Sequence, residues 1–124
     1  FFSDLDEGTR RFSERFRAEI GRIPSVIQAG IYSATLHYLK AVAAARSDEA
    51  KTVIAKMRAL PIEDDVVRNG TLRADGRMLH DFYVFEVKKP AESKGPGDIY
   101  RLVATVPGAE AFRPLSPACP HLPK

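Results

Sequence analysis

The sequence predicts an α/β chain in which three helices are followed by an antiparallel strand pair, its sheet completed by residues missing from this chain or by another chain. Three observations predict it. Apolar residues recur at helical spacing as far as Leu60, and after Pro61 the pattern changes to the turn dipeptides and short β-prone runs of strands. One of the helical segments is apolar on nearly every side and has to be covered on several. Two strands with apolar faces are marginal by themselves.

The first helix is predicted over residues 4–20. Asp4 can cap it while Glu7 bonds back to the Asp4 amide, Phe12, Phe16 and Ile20 repeat on one face, and Gly21 offers a stop. Arg10, Arg11, Arg15 and Arg17 lie to the sides and read as a solvated face. Pro24 and Ser25 open the second helix, residues 26–45, whose apolar positions (Ile27, Ala29, Ile31, Tyr32, Leu36 and Leu39 among them) leave no polar side. Gly30 inside it costs about 1 kcal/mol relative to alanine and marks a place where something approaches the backbone. Ser47-Asp48 is the expected cap of a third helix, residues 49–59, ended by Pro61.

Asn69-Gly70 and Asp75-Gly76 are turn dipeptides around a short stretch at 71–73. Residues 78–88 then form one long strand, 89–97 a loop, and 99–106 a second strand antiparallel to the first. From Pro107 onward, five prolines in eighteen residues predict an irregular extended tail.

Composition narrows the function classes. At 124 residues and 44% hydrophobic content the chain is one domain or part of one. It shows neither a membrane-length apolar run nor a secretory leader, which predicts a soluble protein, and its start without methionine suggests a processed chain or a piece of a longer one. The net charge of +3 and pI near 9.2 come from acids and bases that alternate, which is no nucleic-acid footprint. Cys119 is the single cysteine, so it is a lone thiol or pairs outside these residues.

The motifs of catalysis are missing. His37, His80 and His121 are far apart and without metal-ligand spacing. His80 and Asp81, as neighbours in a strand, would face opposite sides and could not form a base with its orienting acid. Asp64-Asp65 reads as a capped or solvated turn, and no phosphate loop or nucleophile elbow occurs. Phe82, Tyr83 and Phe85 could stack RNA bases, but an RNA-recognition sheet alternates strands with helices, whereas in this chain the helices all come first. A non-enzymatic protein without cofactor or metal is expected.

Read in order, three features carry a resemblance. They are F-x-x-x-x-G-x-x-P-S at 16–25, A-x-x-Y-x-A-x-x-x-Y-L-x-A-V at 29–42, and x-x-D-G-R at 73–77 running into the aromatic strand. Together they resemble the C-terminal portion of ABC-importer substrate-binding proteins of the branched-chain amino-acid (leucine-isoleucine-valine) type, a type I periplasmic binding protein. The resemblance implies a fragment of a two-lobed α/β molecule: 1–72 would supply helices of the first lobe, 73–77 a crossing between lobes, and 78–124 strands and tail of the second. The strand at 78–88 would then lie against sheet residues from upstream.

The same resemblance implies a periplasmic receptor that captures an amino acid or a related small polar or aromatic acid and delivers it to a membrane permease, with no nucleic-acid partner. Gln28, Ala29 and Tyr32 match the family positions nearest the hinge and are the expected ligand contacts. Cys119 would pair with an upstream cysteine in the intact receptor, and the isolated chain would associate with itself. A ligand-sensing regulatory domain of the same architecture, or an interaction module for nucleic acid or protein, are the alternatives.

Overall fold

In the computed structural model, which describes residues 4–95, 97–116, 118 and 122, helix α1 spans Glu7–Ile20 and is capped by Asp6. The Asp6 carboxylate accepts from the Thr9 amide at 2.8 Å and Thr9 Oγ1 accepts from the Asp6 amide at 3.0 Å. The reciprocal cap expected of Asp4 and Glu7 therefore forms two residues later. Packing decides the shift: Thr9 is buried, and Gly8 lies where a Cβ would stand 2.9 Å from the Asp65 carbonyl. Arg11 and Arg15 then grip the Asp65 carboxylate at 2.6 and 2.7 Å, tying α1 to the turn that follows the helices.

Helix α2 covers Val26–Ala45, as predicted, with Ser25 and Gln28 forming its capping box. Its buried row is Ala29, Ser33, His37 and Ala41, at the i, i+4 spacing of one helix face. On other faces Val26, Ile27, Ile31 and Leu39 are 66, 70, 61 and 55% exposed. Helix α3, Ala50–Ala59, packs against α2 and is capped by Glu49 instead of Ser47-Asp48. The Glu49 carboxylate accepts from the Lys51 and Thr52 amides and the Thr52 hydroxyl, which holds its carboxyl below the usual range, and Ser47 Oγ accepts from the Glu49 amide. His37 Nε2 lies 2.9 Å from the Met57 carbonyl; a carbonyl only accepts, so this nitrogen carries the proton and joins α2 to α3.

The strand predicted over 78–88 is two strands. Strand β1, Thr71–Leu72, pairs antiparallel with β2, Met78–Leu79, across the Asp75-Gly76 turn. The ladder stops at His80 and Asp81, and β3, Phe82–Val87, pairs antiparallel with β4, Tyr100–Val106. A bulge at Val84/Phe85 leaves Val103 unpaired. The chain after Pro107 is not wholly irregular: a single helical turn, α4 at Gly108–Ala111, starts there. It lies across the β2–β3 junction, and this explains the break. The Gly108 amide donates to Asp81 Oδ1 at 2.9 Å, and a Cβ on Gly108 would stand 2.9 Å from the His80 carbonyl. Cys119 lies outside the described residues.

The residues predicted to cross between lobes are bolted in place. Arg73 holds both Asp75 oxygens, at 3.0 and 2.8 Å, and donates to the Arg113 carbonyl at 2.8 Å. The bond from Arg73 is the main cause that draws the Asp75 carboxyl down from 3.8 to about 2. With the folded value depressed, this stabilisation is complete above the unfolded value and disappears as pH falls toward 2. The pair lies at the surface and is partly open to solvent, so its effect is modest. Asp75→Asn is expected to lower the unfolding temperature slightly at neutral pH, and the difference from wild type should close in acid. A difference independent of pH would exclude this assignment.

The core is thin. Among the described residues the buried apolar side chains are Phe12, Ala29, Ala41, Val53, Ile62 and Val67. The accessible surface is 8701 Å², whereas a folded monomer of 13.7 kDa exposes about 6,600 Å². Large apolar side chains stay exposed on α2 and on the β3–β4 pair.

Candidate functional site

A cavity of about 250 Å³ opens between the helices and the strands. Its helical wall carries Val26, Ala29, Gly30 and Ser33 from the first two turns of α2, with Leu5 just before α1 and Thr9 in its first turn. The far wall is Met78, His80, Asp81, Phe82, Tyr83 and Phe85, and Val66 and Val67 close one side. The two walls come from residues before and after 73–77 in sequence.

The side wall is held by Asp64. Its Oδ1 accepts from the Val66 and Val67 amides at 2.7 and 2.8 Å, and its Oδ2 accepts from Ser33 Oγ at 2.5 Å. One carboxylate thus folds the turn and docks it on α2, more than the solvated turn that Asp64-Asp65 suggested. In the far wall the His80 ring stacks on Phe82 (centroids 5.4 Å, 10°), and Phe112 meets both rings edge-on at 5.6 and 5.5 Å. His80 Nδ1 lies 2.9 Å from the Asp81 carbonyl, which only accepts, so this nitrogen carries a proton. Burial first, and the charge of Asp81 next, push the Tyr83 phenol above its ordinary value, so it remains a hydroxyl at neutral pH.

These groups suit binding. The lining is mainly apolar, with the polar groups of His80 and Asp81 and the hydroxyls of Ser33 and Tyr83 at one small volume. The Ser33 proton is directed at a carboxylate already engaged by two amides, which activates no nucleophile. No cluster of three or more metal-ligating side chains occurs among the described residues, and no helix there is long and apolar enough to cross a membrane.

Of the three ligand contacts expected from the sequence, Ala29 is in the cavity wall and 1% exposed. Gln28 and Tyr32 sit beside it on the same helix and outside the lining. The Gln28 carbonyl oxygen accepts from the Ser25 amide at 2.8 Å, leaving its NH₂ without a partner among the described residues. The Tyr32 ring packs on Phe12 (4.6 Å, 32°), and its hydroxyl accepts from Arg15 at 3.4 Å. Sequence reasoning missed His80, Asp81 and Tyr83 because a continuous strand would send the first two to opposite faces; the interruption brings both to the cavity. Ser33 was within reach, one turn after Ala29 on the same face. The approach to the backbone expected at Gly30 is not seen: among the described residues nothing stands within 4 Å of the position a methyl would take there.

Residues 1–96 match the model of the family described as periplasmic binding protein. Two solved structures are similar across nearly the whole chain. A periplasmic binding protein from Burkholderia mallei is 42% identical over 91% of this chain with a TM-score of 0.87. A branched chain amino acid ABC transporter periplasmic ligand-binding protein from Burkholderia xenovorans LB400 is 44% identical over 92% with a TM-score of 0.88. The chain spans 30% of the length of each. No curated protein matches it.

Proposed function

The chain belongs to the periplasmic binding protein family, and from that premise we propose that it serves as part of a solute-binding receptor of an ABC importer, capturing an amino acid or a related small polar or aromatic acid in the periplasm and presenting it to a membrane permease. The observation that carries this reading is the cavity with one wall on α2 and the other on the strands beyond the crossing. In the division we propose, 1–72 belong to one lobe, 73–77 to a crossing, and 78–124 to the other lobe. A ligand touching both walls favours the closed arrangement, and its differential affinity for open and closed states sets how far the equilibrium moves. No bond is made or broken.

Ala29 forms the floor at the start of α2, and we assign Gln28 and Tyr32 to its rim. Gln28 offers the NH₂ that its cap leaves over, and Tyr32 an aromatic wall with a polar tip. The test is calorimetry on the full-length receptor with leucine, phenylalanine, alanine and benzoate. At least one should bind, and Tyr32→Ala should weaken it by on the order of 1 to 3 kcal/mol. Gln28→Ala should cost less, since water replaces an amide at a cleft rim. Thermal unfolding controls for the Phe12 stack and the Ser25 cap that these variants also disturb. A folded receptor that binds none of the four would overturn the reading.

A further inference from the structure

Glycine in the second turn of a long helix weakens it relative to alanine, so its presence calls for a local reason. Elsewhere in this chain the reasons are visible. Gly8, Gly70, Gly97 and Gly108 have neighbours that a Cβ would meet at under 3 Å, and Gly21, Gly76 and Gly95 hold positive φ. Gly30 has neither: its φ is not left-handed, and the space where its methyl would stand is open among the described residues. Gly30 is exposed and lines the cavity on the helical wall with Ala29 and Ser33, with Met78, Phe82 and Phe85 on the far wall.

We infer that Gly30 is a specificity-determining position, its missing methyl leaving room in the cavity for the apolar body of the ligand. The class of ligand that would use this room is an amino acid with a branched or aromatic side chain, because the lining of both walls is mainly apolar. The inference rests on the cavity being the ligand site, as proposed above. A ligand with a side chain no larger than a methyl would leave the space empty and would not sense the residue at 30.

The test is Gly30→Ala in the full-length receptor, read by two measurements. Thermal unfolding without ligand should rise by about 2 °C, the gain expected from alanine in a helix with nothing to obstruct it. Affinity for leucine or phenylalanine, whichever the wild type binds, should fall about tenfold, the scale on which a pocket senses one methyl group. Affinity for alanine, where measurable, should change less than about twofold. A purely structural role for Gly30 predicts no such dependence on ligand size.

Equal affinity of variant and wild type for the larger ligands would overturn the inference while leaving the cavity a ligand site. A lowered unfolding temperature would also overturn it, showing that the space holds another part of the receptor. If the wild type binds neither leucine nor phenylalanine but binds alanine or benzoate, the branched or aromatic ligand class is wrong and the receptor reading stands; if it binds none of the four, both fall.

Discussion

Asp64→Ala should cost about 3 kcal/mol in urea unfolding, a large loss for a single polar side chain. The carboxylate accepts from three donors, Ser33 Oγ and the amides of Val66 and Val67, all in partly buried surroundings. Removing it strands three donors at about 1 kcal/mol each, because a methyl cannot accept and the site admits little water. The damage should spread to the cavity, since Val66 and Val67 form its side and Ser33 part of its helical wall. Asp64→Asn separates the hydrogen bonds from the charge. Its carbonyl oxygen can still serve the two amides, and the Ser33 hydroxyl can rotate to accept from the new NH₂, so most of the stability should return. A loss below about 0.5 kcal/mol in Asp64→Ala would show that the turn is held by Ile62 and Val67 packing alone.

The isolated 124-residue chain should sediment as an oligomer, and charges on the bare face of α2 should disperse it. The chain exposes about 2,100 Å² more than a folded monomer of its mass does. Much of that surface is large and apolar. Val26, Ile27, Ile31 and Leu39 on α2 are all more than half exposed, as are Val87 and Val103 on the strand pair. So many large apolar side chains are seldom left to water, and an excess of this size is on the scale of a stable interface. Ile27→Glu with Ile31→Glu places two carboxylates on the uncovered face, away from the buried row of Ala29, Ser33, His37 and Ala41. The helical circular dichroism should persist while the sedimenting mass falls toward 13.7 kDa. A wild-type chain that sediments as a cooperative monomer would rule out association. In the full-length receptor the same pair of changes should destabilise the fold, because there we propose that this face is covered by other parts of the receptor.

Local chemistry determined much of this protein by itself. Ser25 with Gln28, Gly21 and Pro61 are signals that act within a few residues, and each helix begins or ends where they stand, with α2 at the predicted residues. The pairing of the two late strands was equally local, a hairpin joined by a Gly- and Pro-containing loop. The uncovered faces were also foreseeable, since an all-round apolar helix and two lone strands cannot cover one another.

Tertiary structure decided the rest. The local pattern pointed to Asp4 as the cap, and the choice fell to Asp6 because Gly8 and Thr9 had to pack under the 65–68 turn, more than fifty residues away. Asp64 reads as a turn residue from its neighbours alone; its bond to Ser33 exists only once the turn is laid on α2. The cavity's far wall depended on a contact from later in the chain. Nothing in the run from Met78 to Lys88 marks a break, and the strand is interrupted because Gly108, arriving from beyond β4, presses on the His80 backbone and donates its amide to Asp81. A residue 27 positions downstream thereby turns two side chains that a continuous strand would separate into parts of one cavity wall, a contact that periodicity cannot encode because its period is set by nearest neighbours along the chain.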